Sequence, residues 1–292
     1  MPARTAWTRI ERSSQRPGRG QALTDDIHSL WDFDGGEAAR CYASKPCCHY
    51  KEEVYPLFAD LLAALPPGSR ALDVGAGPGH MAVEFYRAHP GSDLTFGLAE
   101  VGRAMLDIAE ERLAELGRAA ETFQRDFNRP DWTEGLGAYN AVVSNNAIFH
   151  VKPERLGGFY AELHGLLKAD GLVLNQQSCA YESEDFKGAL EGFPDALSPL
   201  GMLSAEKVEQ WEKARPRQKE LSAAALEKMR AELESRGVTP TSSPSDGAYA
   251  NLHLPASAHV AHMQAAGFAA GVIWRKMEFV VLAGIKGSPF AE

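Results

Sequence analysis

Residues 70–79 read Arg70-Ala71-Leu72-Asp73-Val74-Gly75-Ala76-Gly77-Pro78-Gly79. A short apolar run that breaks into glycines is the pattern of a buried strand entering a tight turn. Glycine there permits positive φ and lets a ligand come close to the backbone. An acid inside such a strand is costly unless loop N–H groups or a bound cation meet it, so Asp73 serves either the loop or a ligand. Spacing narrows the ligand class. A dinucleotide fingerprint, G-x-G-x-x-G/A, would need a small residue where this chain has His80, and the Gly-Lys-Ser/Thr of a phosphate-binding P-loop is absent. The plainer alternative is a strand-to-helix turn without a ligand.

The reading extends outward in both directions. Upstream, Val54, Leu57, Phe58, Leu61, Leu62 and Leu65 recur at helical spacing and predict a helix over 54–65, stopped by Pro66-Pro67-Gly68. Downstream, the pattern predicts a helix over 80–88, a strand over 94–99, and a helix carrying Met105, Ile108, Ala109, Leu113 and Leu116. Strands over 121–125 and 139–144, a helix over 154–168 and, after the Asp170-Gly171 turn, a strand over 172–176 follow. Strands alternating with helices give an α/β fold, with a parallel sheet covered on both faces. Near the end, a helix over 259–266 precedes runs at 270–274 and 279–285, which lie too close for a crossover helix and predict an antiparallel C-terminal hairpin.

Residues 178–251 interrupt the alternation. They read as helices over 205–214 and 221–236, separated by Pro216, with a Pro/Ser-rich return over 238–245. An insertion after the fifth strand lies at the carboxyl edge, where open α/β sheets bind ligands, and so reads as a helical substrate lid. The alternatives are a solvated decoration or a contact in a homodimer. The organisation expected is a basic flexible tail (1–20), a helical cover (21–65), a core (66–177 and 252–292) and the lid insertion (178–251).

Composition bounds the function classes. The chain has 292 residues, 30 Lys+Arg against 39 Asp+Glu and a net charge of -9. Nucleic-acid binders usually carry a basic footprint, so that partner is disfavoured. No apolar window is long enough for a membrane span, and four cysteines without metal spacing fit a reduced, cytoplasmic setting. Within the first twenty residues five arginines face one glutamate, with no apolar run after them. That excludes a secretory signal and leaves a frayed tail or an organelle transit segment.

The stretch 71–79 resembles motif I of the class I, Rossmann-like S-adenosylmethionine-dependent methyltransferases. The likeness is to the small-molecule branch that includes ubiquinone/menaquinone-type enzymes. It continues in order through Leu98-Ala99-Glu100 with Met105-Leu106, Arg125-Asp126-Phe127, Tyr139 to Asn146, Leu166 to Gly171 and Ala265 to Phe268. It spans about 54–286 apart from the insertion.

The resemblance implies a doubly wound, mostly parallel sheet, the cofactor S-adenosyl-L-methionine, and a set of site residues. Gly75, Ala76, Gly77 and Gly79 would form the loop, with Asp73 either scaffolding it or contacting the methionine part. Glu100, with Val101 beside it, would accept from the ribose hydroxyls; the family usually has Asp there, and a helix N-terminal acid is the alternative. Asp126 would accept from the adenine amino group, or only shape a turn, and Phe127 would wall the ring. Asn145 and Asn146 fall where the transferable methyl group lies, to contact substrate or cap the next turn. His150 is either a general base or a packing residue. Tyr42, His49 and Tyr50, with Trp31, belong to the segment that would line the substrate cavity.

Methyl transfer from a sulfonium mainly requires desolvation and alignment, with no metal. The activity implied is transfer to an O, N, C or S nucleophile of a small molecule. The alternatives are a macromolecular (tRNA or protein) methyltransferase and a non-catalytic cofactor-binding partner.

Overall fold

The computed structural model describes residues 36–44, 51–185, 188, 205–235 and 253–287. The basic segment 1–20, Trp31, Cys47, Cys48, His49, Tyr50 and the Pro/Ser-rich return 238–245 lie outside the described residues. The apolar runs become seven strands: β1 (Arg70–Val74), β2 (Thr95–Glu100), β3 (Glu121–Gln124), β4 (Tyr139–Asn145), β5 (Leu167–Ser178), β6 (Phe268–Lys276) and β7 (Phe279–Lys286). Among the described residues they form one sheet in the order β3-β2-β1-β4-β5-β7-β6. β1 to β5 pair in parallel, and β7 runs antiparallel to both β5 and β6. The C-terminal hairpin is therefore part of the sheet, its second strand seated between the first and the parallel block.

The described helices are α1 (Glu37–Ala43), α2 (Lys51–Ala63), α3 (His80–Ala88), α4 (Arg103–Glu115), α5 (Leu156–Leu166), α6 (Ala205–Ser235) and α7 (Ala256–Ala265). Side-chain alternation along each strand divides the core into two layers. Ala71, Phe96, Leu98, Val143, Leu174 and Val281 pack under α2, α3 and α4, around Phe58 and Phe85. Leu72, Val74, Ala99, Val142, Val173 and Leu282 pack under α5 and α7, around Phe159, Tyr160 and Met263. Phe58, Phe85 and Phe96 are fully buried, each stabilising the fold by about 1.5–3 kcal/mol relative to exposure. Asp73 follows Leu72 on β1 and so points to the α2–α4 face.

Local differences from the sequence pattern have simple causes. α2 begins at Lys51, one turn before the apolar stripe, because its first turn is polar (Lys51, Glu52, Glu53) and invisible to periodicity. Pro216 does not divide two helices: α6 runs unbroken from Ala205 to Ser235. A proline removes one backbone donor, and the residues around it, Arg215 and Arg217, are exposed. The helix expected over 154–168 resolves into a 3-10 turn (Pro153–Arg155) and α5, and β5 begins at Leu167 by pairing with Tyr139 before the register shifts.

The described part of the insertion rests on the N-terminal helix. Leu221 and Ala225 of α6 are buried with Ala38 of α1, and Arg217 pairs with Glu37 at 2.8 Å. On its other side α1 places Ala39 against Met105 and Ile108 of α4.

Candidate functional site

The glycine turn leaves β1 and folds across the end of β2, with Gly75 N and Ala76 N donating to Ala99 O at 2.8 and 3.2 Å. Gly75, Gly77 and Gly79 have φ of 70, 52 and 70°. Two of them are also required by packing: a Cβ at Gly75 would lie 2.2 Å from Ala147 Cβ, and one at Gly79 2.8 Å from Ala109 Cβ. At Gly77 nothing lies within 4 Å of the added atom. That position faces open space, and its glycine keeps the approach to the backbone clear. Gly79 is the N-cap of α3 and makes no side-chain cap, so the first N–H groups of that helix are left for other partners. Arg112 of α4 steadies the turn, donating to Pro78 O at 2.8 Å and lying 3.1 Å from His80 Nδ1. Burial, and then the cations Lys51, Arg112 and Arg87, hold the His80 pKa down to about 2. The ring is neutral and its Nδ1 accepts from Arg112.

Two buried acids flank the turn. Glu100, the last residue of β2, accepts from Gly77 N (2.9 Å) through one oxygen and from Val101 N (2.9 Å) and Gly102 N (3.1 Å) through the other. It thus ties the glycine turn to the start of α4, where the helix dipole also favours a negative charge. Asp73 is only 2% exposed and has no hydrogen bond from the described residues. Burial, and next the neighbouring Glu100 carboxylate, push its pKa up to about 7, against the opposing effect of Lys51. No N–H of the glycine turn donates to Asp73 among the described hydrogen bonds. Lys51, the first residue of α2, is itself buried, with its ammonium 5.4 Å from the Tyr55 ring centroid. One edge of the sheet thus gathers two acids and one cation under α2.

Beyond β3 and β4 the chain forms a second wall. Asp126 accepts from Asn128 N at 2.8 Å through Oδ1, which shapes the turn after β3. The Phe127 ring packs on Phe159 with its edge toward Gly75. Its carbonyl accepts from Arg155, which pairs with Glu162, itself the acceptor for the buried Trp132 indole N–H at 2.6 Å. The segment after β4 is clasped to this turn: Asn128 donates to His150 O at 3.0 Å and accepts from Lys152 N at 2.8 Å. The His150 ring is tilted against that of Phe149, with centroids 4.0 Å apart. Desolvation of the His150 ring pulls its pKa down to about 4, which leaves it neutral at neutral pH. Asn146 has φ 55° and donates its backbone N–H to Gln176 O at 2.8 Å.

Direct hydrogen bonds or packing thus unite Gly75, Ala76, Gly77, Gly79, Glu100 and Val101, with Asp73 beside them. Asp126 and Phe127 lie in the turn after β3, Asn145 ends β4, and Asn146 and His150 follow it. Tyr42 packs against Ala39 of α1 and Met105 of α4. His49 and Tyr50 lie outside the described residues. Sequence reasoning missed Lys51, His80, Arg112 and Gln176. The run Asn175-Gln176-Gln177, three amides closing an apolar strand, was a signal available for the last of these.

Residues 71–171 match the family model described as a methyltransferase domain. No curated protein matches the sequence. The fold is similar to an O-methyltransferase family protein from Burkholderia thailandensis, at 16% identity and TM-score 0.51, covering 92% of this chain and 68% of that one. It is similar to the CurJ carbon methyltransferase, at 13% identity and TM-score 0.55, covering 91% of this chain and 63% of that one. It is also similar to the magnesium protoporphyrin IX methyltransferase of Synechocystis, solved with S-adenosylhomocysteine bound, at 11% identity and TM-score 0.52, covering 88% and 97%. At these identities the likeness is one of fold.

Proposed function

We propose that this chain, whose residues 71–171 match the model of a methyltransferase domain, transfers a methyl group from S-adenosylmethionine to a small molecule by in-line displacement. The observation that carries the reading is the composition of the edge around Gly77. An open approach to the backbone is flanked by one acid engaged with the turn and one buried acid that accepts no hydrogen bond among the described residues. A bound cation is the partner such an acid lacks.

The residues fit the cofactor as follows. Gly77 and the N–H groups at the start of α3, which carry no side-chain cap from Gly79, would meet its polar chain. Asp73 would face its ammonium, Lys51 its carboxylate, Glu100 its ribose, and Phe127 with Asp126 its base. When bound, S-adenosylmethionine supplies an electrophilic methyl on a cationic sulfur with an activated leaving group. The chain's own task would then be alignment and exclusion of water, for which the apolar side of α2 and the loops after β3 and β4 are the elements at hand. His150, neutral with a pKa near 4, is a weak proton acceptor at best, so the reading places no proton transfer on it. An already ionised nucleophile needs none, and a hydroxyl nucleophile would lose its proton to solvent.

Isothermal titration of the full chain with S-adenosylmethionine, followed by release of S-adenosylhomocysteine with candidate acceptors, tests this. Absence of cofactor binding would falsify the reading. Binding without turnover across phenols, carboxylates, amines and thiols would reduce it to a cofactor-binding protein.

A further inference from the structure

We propose that Gln176 binds the methyl acceptor, and that the acceptor presents to it an uncharged group able both to donate and to accept a hydrogen bond, namely a hydroxyl on a planar unsaturated ring. The inference rests on the methyltransferase reading and names its second substrate. Gln176 lies near the carboxyl end of β5 and is fully buried, yet neither its amide nitrogen nor its amide oxygen has a hydrogen-bond partner. Buried polar groups are nearly always paired, and an apolar residue of the same shape would fill this position without cost.

Its two neighbours show the contrast. Asn175 and Gln177 point to the opposite face and are held there: Asn175 Nδ2 donates to Tyr160 OH at 3.3 Å, and Gln177 Nε2 lies 2.6 Å from His259 Nε2. His259 Nδ1 in turn lies 3.0 Å from the Tyr160 hydroxyl. Each of those amides has at least one end engaged in a structural network. The side chain of Gln176 has neither.

Register places the amide at the site. Gln176 is level with Asn145 on β4 and with Val281 on β7, and Asn145 stands two residues beyond Val143, the partner of Asp73. With neighbouring strands about 4.8 Å apart, Gln176 lies roughly 10 Å across the carboxyl edge from the glycine turn. Asp73, Asn145 and Gln176 therefore form a row on the α2 face, with Gln176 at the end away from Glu100. The same layer holds Tyr55, Leu174, Val281 and Phe279, with Trp274 packed against it.

These surroundings select the ligand. An amide within apolar walls cannot offset the desolvation of a carboxylate or an ammonium. A hydroxyl fits both halves, its O–H donating to Oε1 and its lone pair accepting from Nε2. Aromatic walls favour a flat ring. In the reaction the hydroxyl oxygen forms the new O–CH3 bond while the S–CH3 bond breaks, its electron pair stays on sulfur, and the hydroxyl proton leaves to solvent. The methylated product has lost its donor and fits Gln176 less well, which assists release.

The test uses the full chain at saturating S-adenosylmethionine with phenol, catechol and 1-naphthol against benzoate and aniline, reading S-adenosylhomocysteine released. Hydroxyl probes are expected to stimulate release. Gln176→Met, which keeps the shape and removes both hydrogen-bonding ends, is expected to raise the KM of the best hydroxyl probe about tenfold or more. Its cofactor affinity and melting temperature are expected to hold. Gln176→Asn, with the amide withdrawn by one methylene, is expected to give a smaller rise and stands in if the Met variant does not fold. The proposal fails if benzoate or aniline is methylated in preference, or if KM is unchanged in both variants. It fails also if no hydroxyl probe stimulates release from a chain that binds S-adenosylmethionine. Loss of cofactor binding in the unmodified chain would instead remove the methyltransferase reading beneath it.

Discussion

At the residue scale the two acids separate by what they already touch. Glu100 accepts three backbone N–H groups, so Glu100→Ala removes charge-assisted hydrogen bonds from the turn as well as from a ligand. Cofactor affinity measured by titration is expected to fall by about 1.5–3 kcal/mol; unchanged affinity in a folded variant would remove the ribose assignment. Asp73 makes a pH-dependent prediction, because its pKa is raised from 3.8 to about 7. A cationic ligand favours the ionised form, so affinity is expected to rise about tenfold from about pH 6 to about pH 8, with proton release detectable as a buffer-dependent binding enthalpy. Asp73→Asn is expected to bind more weakly with a flat profile. In the free protein the sign reverses: between 3.8 and 7 the folded chain holds a proton that the unfolded chain releases, so stability falls as the pH rises through that window. Asp73→Asn is accordingly expected to gain melting temperature relative to the parent as the pH rises from about 4 to about 8, and a constant difference would refute the assigned shift. The glycines divide similarly. Gly79→Ala would place its Cβ 2.8 Å from Ala109 Cβ and is expected to destabilise the fold, whereas Gly77→Ala meets no atom and bears only the strain of φ 52°, about 1–2 kcal/mol. Its loss is expected in cofactor binding, by a larger factor than its change in melting temperature would account for. Asp73, Gly77 and Glu100 were legible in the sequence because turn chemistry is local. The amide run 175–177 is visible too, but the significance of Gln176 and Lys51 depends on which partners tertiary packing withholds or brings near.

At the element scale the sequence located β1 and α3 to the residue, since a glycine turn bounds both, and it located β2, β4 and the hairpin within a few residues. It failed where periodicity carries no information. The polar first turn of α2 hid the helix start, and Pro216 suggested a break that α6 does not make. The described contacts of α6 include α1, and those of α1 include the helix that follows Glu100; the cover at the methyl end rests on the insertion's place after β5. Leu221→Asp is expected to uncouple α6 from α1 by burying an unpaired charge at that contact. Hydrogen exchange should then accelerate in residues 37–43 while the core strands stay protected; unaltered exchange there would show that α6 does not hold α1.

At the scale of the whole molecule, two layers share every central strand, so neither face can loosen without exposing the other's apolar residues. Among the described residues no helix is long and apolar enough to cross a membrane. The sheet order carries a further consequence for synthesis. β5 pairs on one side with β4 and on the other with β7, the last described strand, while β6 reaches the sheet only through β7. On the ribosome the parallel block can assemble once β5 has emerged, but the open flank of β5, with Leu172 and Leu174 in it, stays unpaired until residue 286 is made. At translation rates of about 5–20 residues per second that interval lasts roughly 5–20 s, during which the nascent chain presents a bare apolar edge to other chains. Stalled nascent chains ending at 267 are expected to be protease-sensitive and to recruit chaperones, and chains extended past 292 by a linker long enough to clear the exit tunnel are expected to resist digestion. Equal protection of both would mean that the parallel block is sealed before its last neighbour arrives.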